Sequence, residues 1–168
     1  MYGLLYCIRS LVLELDLDLP MRLFDLCMEI SNIIAPVLKS DSPEGFLLED
    51  HSSKSKVTAQ ILLLCAWRTS KEISLILGLI KNSQLIDPIS DHFIEQLCEI
   101  KHRGAFEQAF IGFCQICSFM WQHEETVNRP QNMLFDTLKD LKQENKFCST
   151  RRSAGLSTNS VDIYKLCR

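Results

Sequence analysis

The chain has 168 residues, a length that fits one domain, and 46% of them are hydrophobic, enough to form a buried core. Only six glycines and five prolines are present, which argues against a turn-rich β protein. The net charge of −3 excludes a wholly basic nucleic-acid-binding protein but leaves room for a local basic patch.

The N-terminal part, residues 1–40, predicts the first helices of the fold. Residues 2–15 are apolar on nearly every side. A helix from about Pro20 to Lys39 follows, because its apolar residues recur at spacings of three and four. Pro36 should kink or end this helix.

Residues 41–55 carry the turn and cap residues of a loop, and a helical core is predicted over residues 56–156. Its first helix should run from about Lys56 to Asn82. Because this exceeds the usual helix length, we expect a kink or break near Thr69 and Ser70.

Three more helices are predicted before a divergent polar tail at residues 157–168. The first should have Asp87 as its cap and Pro88 in its first position. No stretch shows the period-two alternation of a strand. The three helices should span about residues 89–101, about residues 105–122, and a stretch from just after Pro130 to about residue 143.

The succession of helices and short links predicts an all-α fold. The apolar stripes are too broad for one seam, so each helix should be covered on more than one side. Stacked helical pairs of the HEAT or armadillo type, an α-solenoid, provide such cover. The sequence shows no clean repeat, and an ordinary helical bundle is the alternative.

The cysteines and the N-terminus favour a reducing compartment. Most of the eight cysteines lie in apolar runs such as LLLCAW, where they should pack as small hydrophobic side chains. The N-terminal apolar segment is interrupted by charges and lacks the features of a signal peptide. The longest uninterrupted apolar run, Ile61 to Trp67, is far below the roughly 20 residues that span a bilayer. We therefore expect a cytoplasmic protein without a membrane span.

No motif predicts catalysis, a metal or a cofactor. Cys114 and Cys117 form a C-x-x-C, but they fall within a predicted helix among aromatic residues, where core packing is the better interpretation. The four histidines are scattered, and no phosphate loop, nucleophile elbow or dinucleotide fingerprint occurs. We expect a protein that is not an enzyme and has no small-molecule substrate.

Two polar motifs interrupt the apolar helices, and each contains Arg-x-x-x-Glu: Arg68 with Glu72, and Arg103 with Glu107. One hypothesis is that these side chains pair between helices or contact a partner. The alternative is an ordinary solvated surface. The arginine-first order is the weaker one for a pair within a helix.

A third motif lies near the C-terminus, in the string CSTRRSAGL. Adjacent arginines concentrate positive charge and offer donors that match a phosphate or a carboxylate. The small residues that follow would allow another backbone to approach closely. A packing turn is the alternative interpretation. The candidate binding residues here are Arg151, Arg152, Ser153, Ala154, Gly155 and Leu156.

The strings CAWRTSKEISLILG, KHRGAFEQAF and CSTRRSAGL, in this order and spacing, resemble the core of the THADA family. The similarity covers roughly residues 55–156. It implies a very large cytosolic protein of helical repeats that carries no catalytic centre. In this family, the fungal adaptor directs a small SAM-dependent tRNA ribose 2′-O-methyltransferase to the anticodon loop.

The resemblance implies that the methyltransferase catalytic subunit is the partner, with tRNA as a second candidate. It places the family's most specific motif on Arg151–Leu156 and implicates it in methylation. Ser157 stands where the family motif continues with proline, and the polar tail replaces a further apolar helix. The alternative function is a protein-only scaffold that regulates a calcium pump and energy balance, as linked to animal members.

Overall fold

The computed structural model describes residues 1–17, 20–40 and 58–143, and within these ranges the chain is helical without a strand. The all-α prediction is therefore confirmed. The elements are α1 (Tyr2–Leu15), α2 (Met21–Lys39), α3 (Ala59–Leu77), a 3-10 turn (Ser83–Leu85), α4 (Ile86–Glu99), α5 (Arg103–Trp121) and α6 (Arg129–Gln143).

Helix α3 lies at the centre of the fold and packs against α1, α2 and α5, while α4 packs on α5. Because α3 is covered on several sides, it buries polar residues as well as apolar ones, including Thr69, Ser70 and Glu72. The Thr69 hydroxyl donates to the Cys65 carbonyl at 2.7 Å, which satisfies it without a partner from another helix.

Helices α3 and α5 approach each other closely at two glycines. A Cβ atom on Gly112 would lie 2.5 Å from the Ser74 carbonyl oxygen and 2.6 Å from Phe93 Cζ. A Cβ on Gly78 would lie 3.1 Å from the Gly112 Cα. Only glycine leaves room for this crossing, and the Phe93 ring then packs edge-on against Phe113, with 6.3 Å between ring centroids.

Pairs of contacting residues show that helices alternate along the chain in a regular way: α2 and α4, α1 and α3, and α3 and α5 each run in the same direction. Ser31 and Lys39 of α2 contact His92 and Glu99 of α4 in increasing order along both helices. Helices α1 and α3 follow the same rule, as do α3 and α5. Two parallel layers are typical of stacked helical pairs. The HEAT or armadillo assignment nevertheless stays a prediction.

In the first half of the chain, the predicted bounds of α2 are confirmed and those of α3 were wrong. Helix α2 contains Pro36 and ends at Lys39, where the sequence predicted its end. Helix α3 begins at Ala59, since the Thr58 hydroxyl accepts from the Ile61 amide, and it ends at Leu77. It is unbroken at Thr69 and Ser70.

The start of α4 also differs from the prediction. The chain turns into a 3-10 helix capped by Asn82, whose side chain accepts from the Gln84 amide, and α4 follows directly from Ile86. Asp87 therefore lies inside the first turn instead of at the cap. There its carboxylate suits the positive end of the helix and pairs with Arg129 of α6.

Candidate functional site

The site is built where α1 meets the middle of α3. The Arg9 guanidinium donates to the Glu72 carboxylate, with 2.8 Å between Nε and Oε2, and the side chains are only 18% and 8% exposed. Glu72 is thus a nearly buried charge that receives its counter-ion from another helix. This confirms the prediction of an interhelical pair for Glu72, although not with the arginine of its own motif.

A groove runs along this junction, with Tyr2, Gly3 and Tyr6 on the α1 side. Opposite them lie Trp67, Arg68, Lys71 and Glu72 of α3. Both tyrosines are exposed, and the groove opens to solvent. Aromatic faces and cations therefore share one surface of the protein.

Each tyrosine of the groove has an arginine beside it. The Arg68 guanidinium donates to the Tyr2 hydroxyl at 3.3 Å and lies 5.3 Å from the centre of its ring. The Arg9 guanidinium lies 5.3 Å from the centre of the Tyr6 ring. These cation–π contacts hold the arginines in place without consuming all of their donors.

Trp67 joins the first polar motif to the second. Its indole stacks on the His102 imidazole, with 5.6 Å between ring centroids and 15° between planes. His102 caps α5, since its Nδ1 accepts from the Ala105 amide at 3.2 Å. Partial burial lowers the pKa of His102, in keeping with a neutral ring that accepts a hydrogen bond. The strings CAWRTSKE and KHRGAFE thus belong to one structural unit.

Arg103 and Glu107 form a pair within α5, with 2.7 Å between Nε and Oε1. Their side chains are 92% and 53% exposed, so this pair matches the solvated-surface interpretation. The candidate residues Arg151, Arg152, Ser153, Ala154, Gly155 and Leu156 lie outside the described residues, as does the loop predicted at 41–55.

The cysteines bear out the packing interpretation only in part. Cys117 of α5 is fully buried in the main core, whereas Cys114 of the same helix is only partly buried. Cys65 of the LLLCAW run is exposed, so the expectation that it packs in the core was wrong. Among the residues that the structure describes, no three potential ligand side chains cluster to hold a metal ion. None of the helices described is both long and apolar enough to span a bilayer.

The sequence interpretation missed the contribution of α1. Tyr2 and Tyr6 are spaced by four residues and Arg9 by three more, so all three lie on one face of a helix. That spacing was a usable signal, but it was hidden by the many apolar residues around it. Lys71 belongs to the first polar motif, but only the structure shows that its side chain lines the groove.

Over the described residues, fold and groove define an all-helical protein with a groove lined by aromatic and basic side chains. The chain matches the family described as THADA/TRM732, DUF2428, over residues 18–164. It therefore belongs to the THADA/TRM732 family, as the three sequence strings predicted. No solved structure matches the chain.

The similar proteins are all much longer than this chain. It is 30% identical to the fruit-fly tRNA (32-2′-O)-methyltransferase regulator THADA, over 93% of the chain and 12% of that protein. Its identity to the human protein of the same name is 25%, with the same coverage. It is 30% identical to the fission-yeast regulator trm732, over 87% of the chain and 11% of that protein.

Proposed function

We propose that this chain is a non-catalytic helical segment of a cytoplasmic adaptor that supports ribose 2′-O-methylation of tRNA by a partner methyltransferase. The observation that carries the proposal is the family match over residues 18–164. The fruit-fly, human and fission-yeast relatives are each named regulators of a tRNA (32-2′-O)-methyltransferase. A regulator acts on an enzyme that another chain supplies, so the catalytic subunit is the expected partner.

The helical architecture supports a scaffold role. Helices α1, α3 and α5 pack side by side in the same direction, and helices stacked into layers in this way offer extended surfaces to a partner. We propose that these layers are part of a HEAT-like or armadillo-like array. The relatives' names favour tRNA methylation over the alternative of a calcium-pump regulator.

Within this proposal, Arg151 and Arg152 contact the methyltransferase or the tRNA, with Arg68 and Arg103 as supporting residues. Adjacent guanidinium groups can bind phosphates or carboxylates with two parallel hydrogen bonds each. Such contacts would fix the position of the tRNA without reading its sequence.

The test is a segment exchange in fission yeast that lacks its own trm732. The strain receives trm732 in which the segment matching residues 18–164 is replaced by this chain. Methylation of the ribose at position 32 is then measured by mass spectrometry of purified tRNA. We expect this replacement to restore methylation, and a stable, well-expressed protein that restores none would contradict the proposed function.

The arginine motif is tested in the same strain. The double variant Arg151→Ala with Arg152→Ala should reduce methylation at least tenfold at an unchanged protein level. The matched control is Arg22→Ala with Lys81→Ala, which removes two exposed cations elsewhere and should leave methylation unchanged. Normal methylation in the Arg151 and Arg152 variant would remove the motif from the mechanism.

A further inference from the structure

We propose that the groove between α1 and α3 binds single-stranded RNA, with bases stacked on Tyr2 and Tyr6 and phosphates held by Arg68 and Lys71. The inference rests on the proposed function only for the identity of the RNA, which would then be a tRNA loop. The binding itself is argued from the groove.

The aromatic side of the groove suits nucleobases. Tyr2 and Tyr6 are one helical turn apart on the same face of α1, and the Tyr6 side chain is 53% exposed. Between them Gly3 has no side chain, and open space surrounds the position that its Cβ would occupy. Exposed aromatic faces at such a spacing accept successive bases of any sequence, because every base has a π face.

The charges of the groove favour a polyanion. Arg9 neutralises Glu72, the carboxylate that lines the groove, which leaves the charges of Arg68 and Lys71 in excess. This is a local surplus of two positive charges on a chain whose net charge is −3. The net charge of the chain allowed for a local basic patch, and these two cations form one beside the aromatic side chains.

RNA uses both halves of this surface, whereas an acidic peptide uses one. Carboxylates could bind Arg68 and Lys71, but they have no planar group that would stack on the rings of Tyr2 and Tyr6. A single-stranded polynucleotide presents phosphates along its backbone and planar bases beside it, which matches a groove with cations on the α3 side and tyrosine rings on the α1 side. Because the groove is open, it suits an extended chain better than an enclosed small molecule.

The test measures fluorescence anisotropy of a labelled twelve-nucleotide oligouridylate with the full chain, from 50 to 200 mM KCl. An abasic ribose-phosphate oligomer of the same length serves as the second probe. We expect the oligouridylate to bind with a clear salt dependence and the abasic oligomer to bind about tenfold more weakly. No binding at 50 mM salt, or equal binding of the two probes, would overturn the proposal.

Variants locate the binding. Tyr6→Ala should weaken binding about tenfold, whereas Tyr6→Phe keeps the ring and most of the affinity. Lys71→Ala should lower the slope of log affinity against log salt by about 0.7. The matched controls are Phe135→Ala on α6, also 53% exposed, and Lys81→Ala, and both should bind as the unchanged chain does. Groove variants that bind like these controls would place the RNA elsewhere and overturn the proposal.

Competition separates RNA from an acidic protein partner. If a polyglutamate peptide displaces the oligouridylate at equal charge concentration, the groove recognises acidic chains and the proposal fails. Binding is measured without a methyltransferase, so a failed segment exchange leaves this result unaffected. Conversely, absent RNA binding leaves the regulator proposal intact, since that proposal rests on the family match.

Discussion

Arg9 of α1 and Glu72 of α3 form an ion pair, although 63 residues separate them along the chain. The pair links α1 to α3 beside the groove that these two helices form. Glu72 is buried on α3 and also lines the groove, while its partner Arg9 lies beside the ring of Tyr6. Stability of the helix packing and integrity of the candidate site therefore depend on the same two side chains.

Removing Arg9 should destabilise the protein. Arg9→Met leaves the Glu72 carboxylate nearly buried without its counter-ion, and we expect a loss of about 3 kcal/mol in the free energy of unfolding. Replacing both residues by methionine should recover most of the loss, because no unpaired charge remains. Urea unfolding of the single and double variants gives the coupling, and strictly additive losses would show that the pair is not coupled.

Gly112→Ala should destabilise the crossing of α3 and α5. Its Cβ would overlap the Ser74 carbonyl oxygen, which is backbone and cannot rotate away. We expect a loss of about 1–3 kcal/mol, measured by urea unfolding. Gly3→Ala is the control, since open space surrounds that position, and its stability should be unchanged or slightly higher. Equal stability of the two variants would contradict the close approach.

Stability should decrease as the pH falls below about 6.5, the ordinary pKa of histidine. Burial lowers the pKa of His92, outweighing the opposing effect of Glu95, and Lys39 lowers it further. The unfolded chain therefore binds the proton more readily, so this stability is complete above 6.5 and is lost as the pH falls through the folded pKa. Partial burial also lowers the pKa of His102, so this residue too makes the folded protein less stable as the pH falls.

The pH dependence is measured as the thermal midpoint between pH 5 and pH 8. His92→Gln should flatten the profile below pH 6.5, because it removes a group that must be neutral in the folded chain. His123→Gln is the control, since His123 is exposed, and it should keep the original profile. A His92→Gln profile that parallels the unchanged protein would refute the assignment.

Cys27 should resist alkylation in the folded protein. Burial raises the pKa of its thiol to about 12, so few molecules carry the reactive thiolate, and the side chain is also closed to reagents. With N-ethylmaleimide at pH 8, the exposed Cys7 should react about a hundredfold faster or more. Peptide mass spectrometry gives both rates, and the difference should vanish in urea. Comparable rates without denaturant would mean that α2 does not stay packed.

The polar residues that the sequence singled out had different outcomes. Arg68 and Glu72 lie in the groove and contact α1, whereas Arg103 and Glu107 form an ordinary surface pair. Both motifs have the same Arg-x-x-x-Glu spacing, so the spacing could not distinguish them. Their different surroundings arise because α3 is covered by α1 on that face and α5 is not.

Local sequence patterns also predicted the positions of helices better than their exact ends. Apolar spacing predicted α2 and α5 well, because a period of 3.6 residues is a local property of the chain. It extended α3 too far at both ends, where the Thr58 cap and the turn before Ser83 decide the boundaries. Asp87 has a side chain that can cap a helix, but α4 begins one residue before it, at Ile86. Asp87 therefore lies in the first turn, where it forms an ion pair with Arg129 of α6.

The sequence by itself determined the all-α class, the burial of Cys117 and membership of the THADA/TRM732 family, because periodicity and motif strings are encoded by neighbouring residues. Only the tertiary structure decided that Tyr2, Tyr6 and Arg9 share a surface with Arg68 and Lys71. That juxtaposition depends on how α1 packs against α3, and packing is set by shape and charge between segments about 60 residues apart.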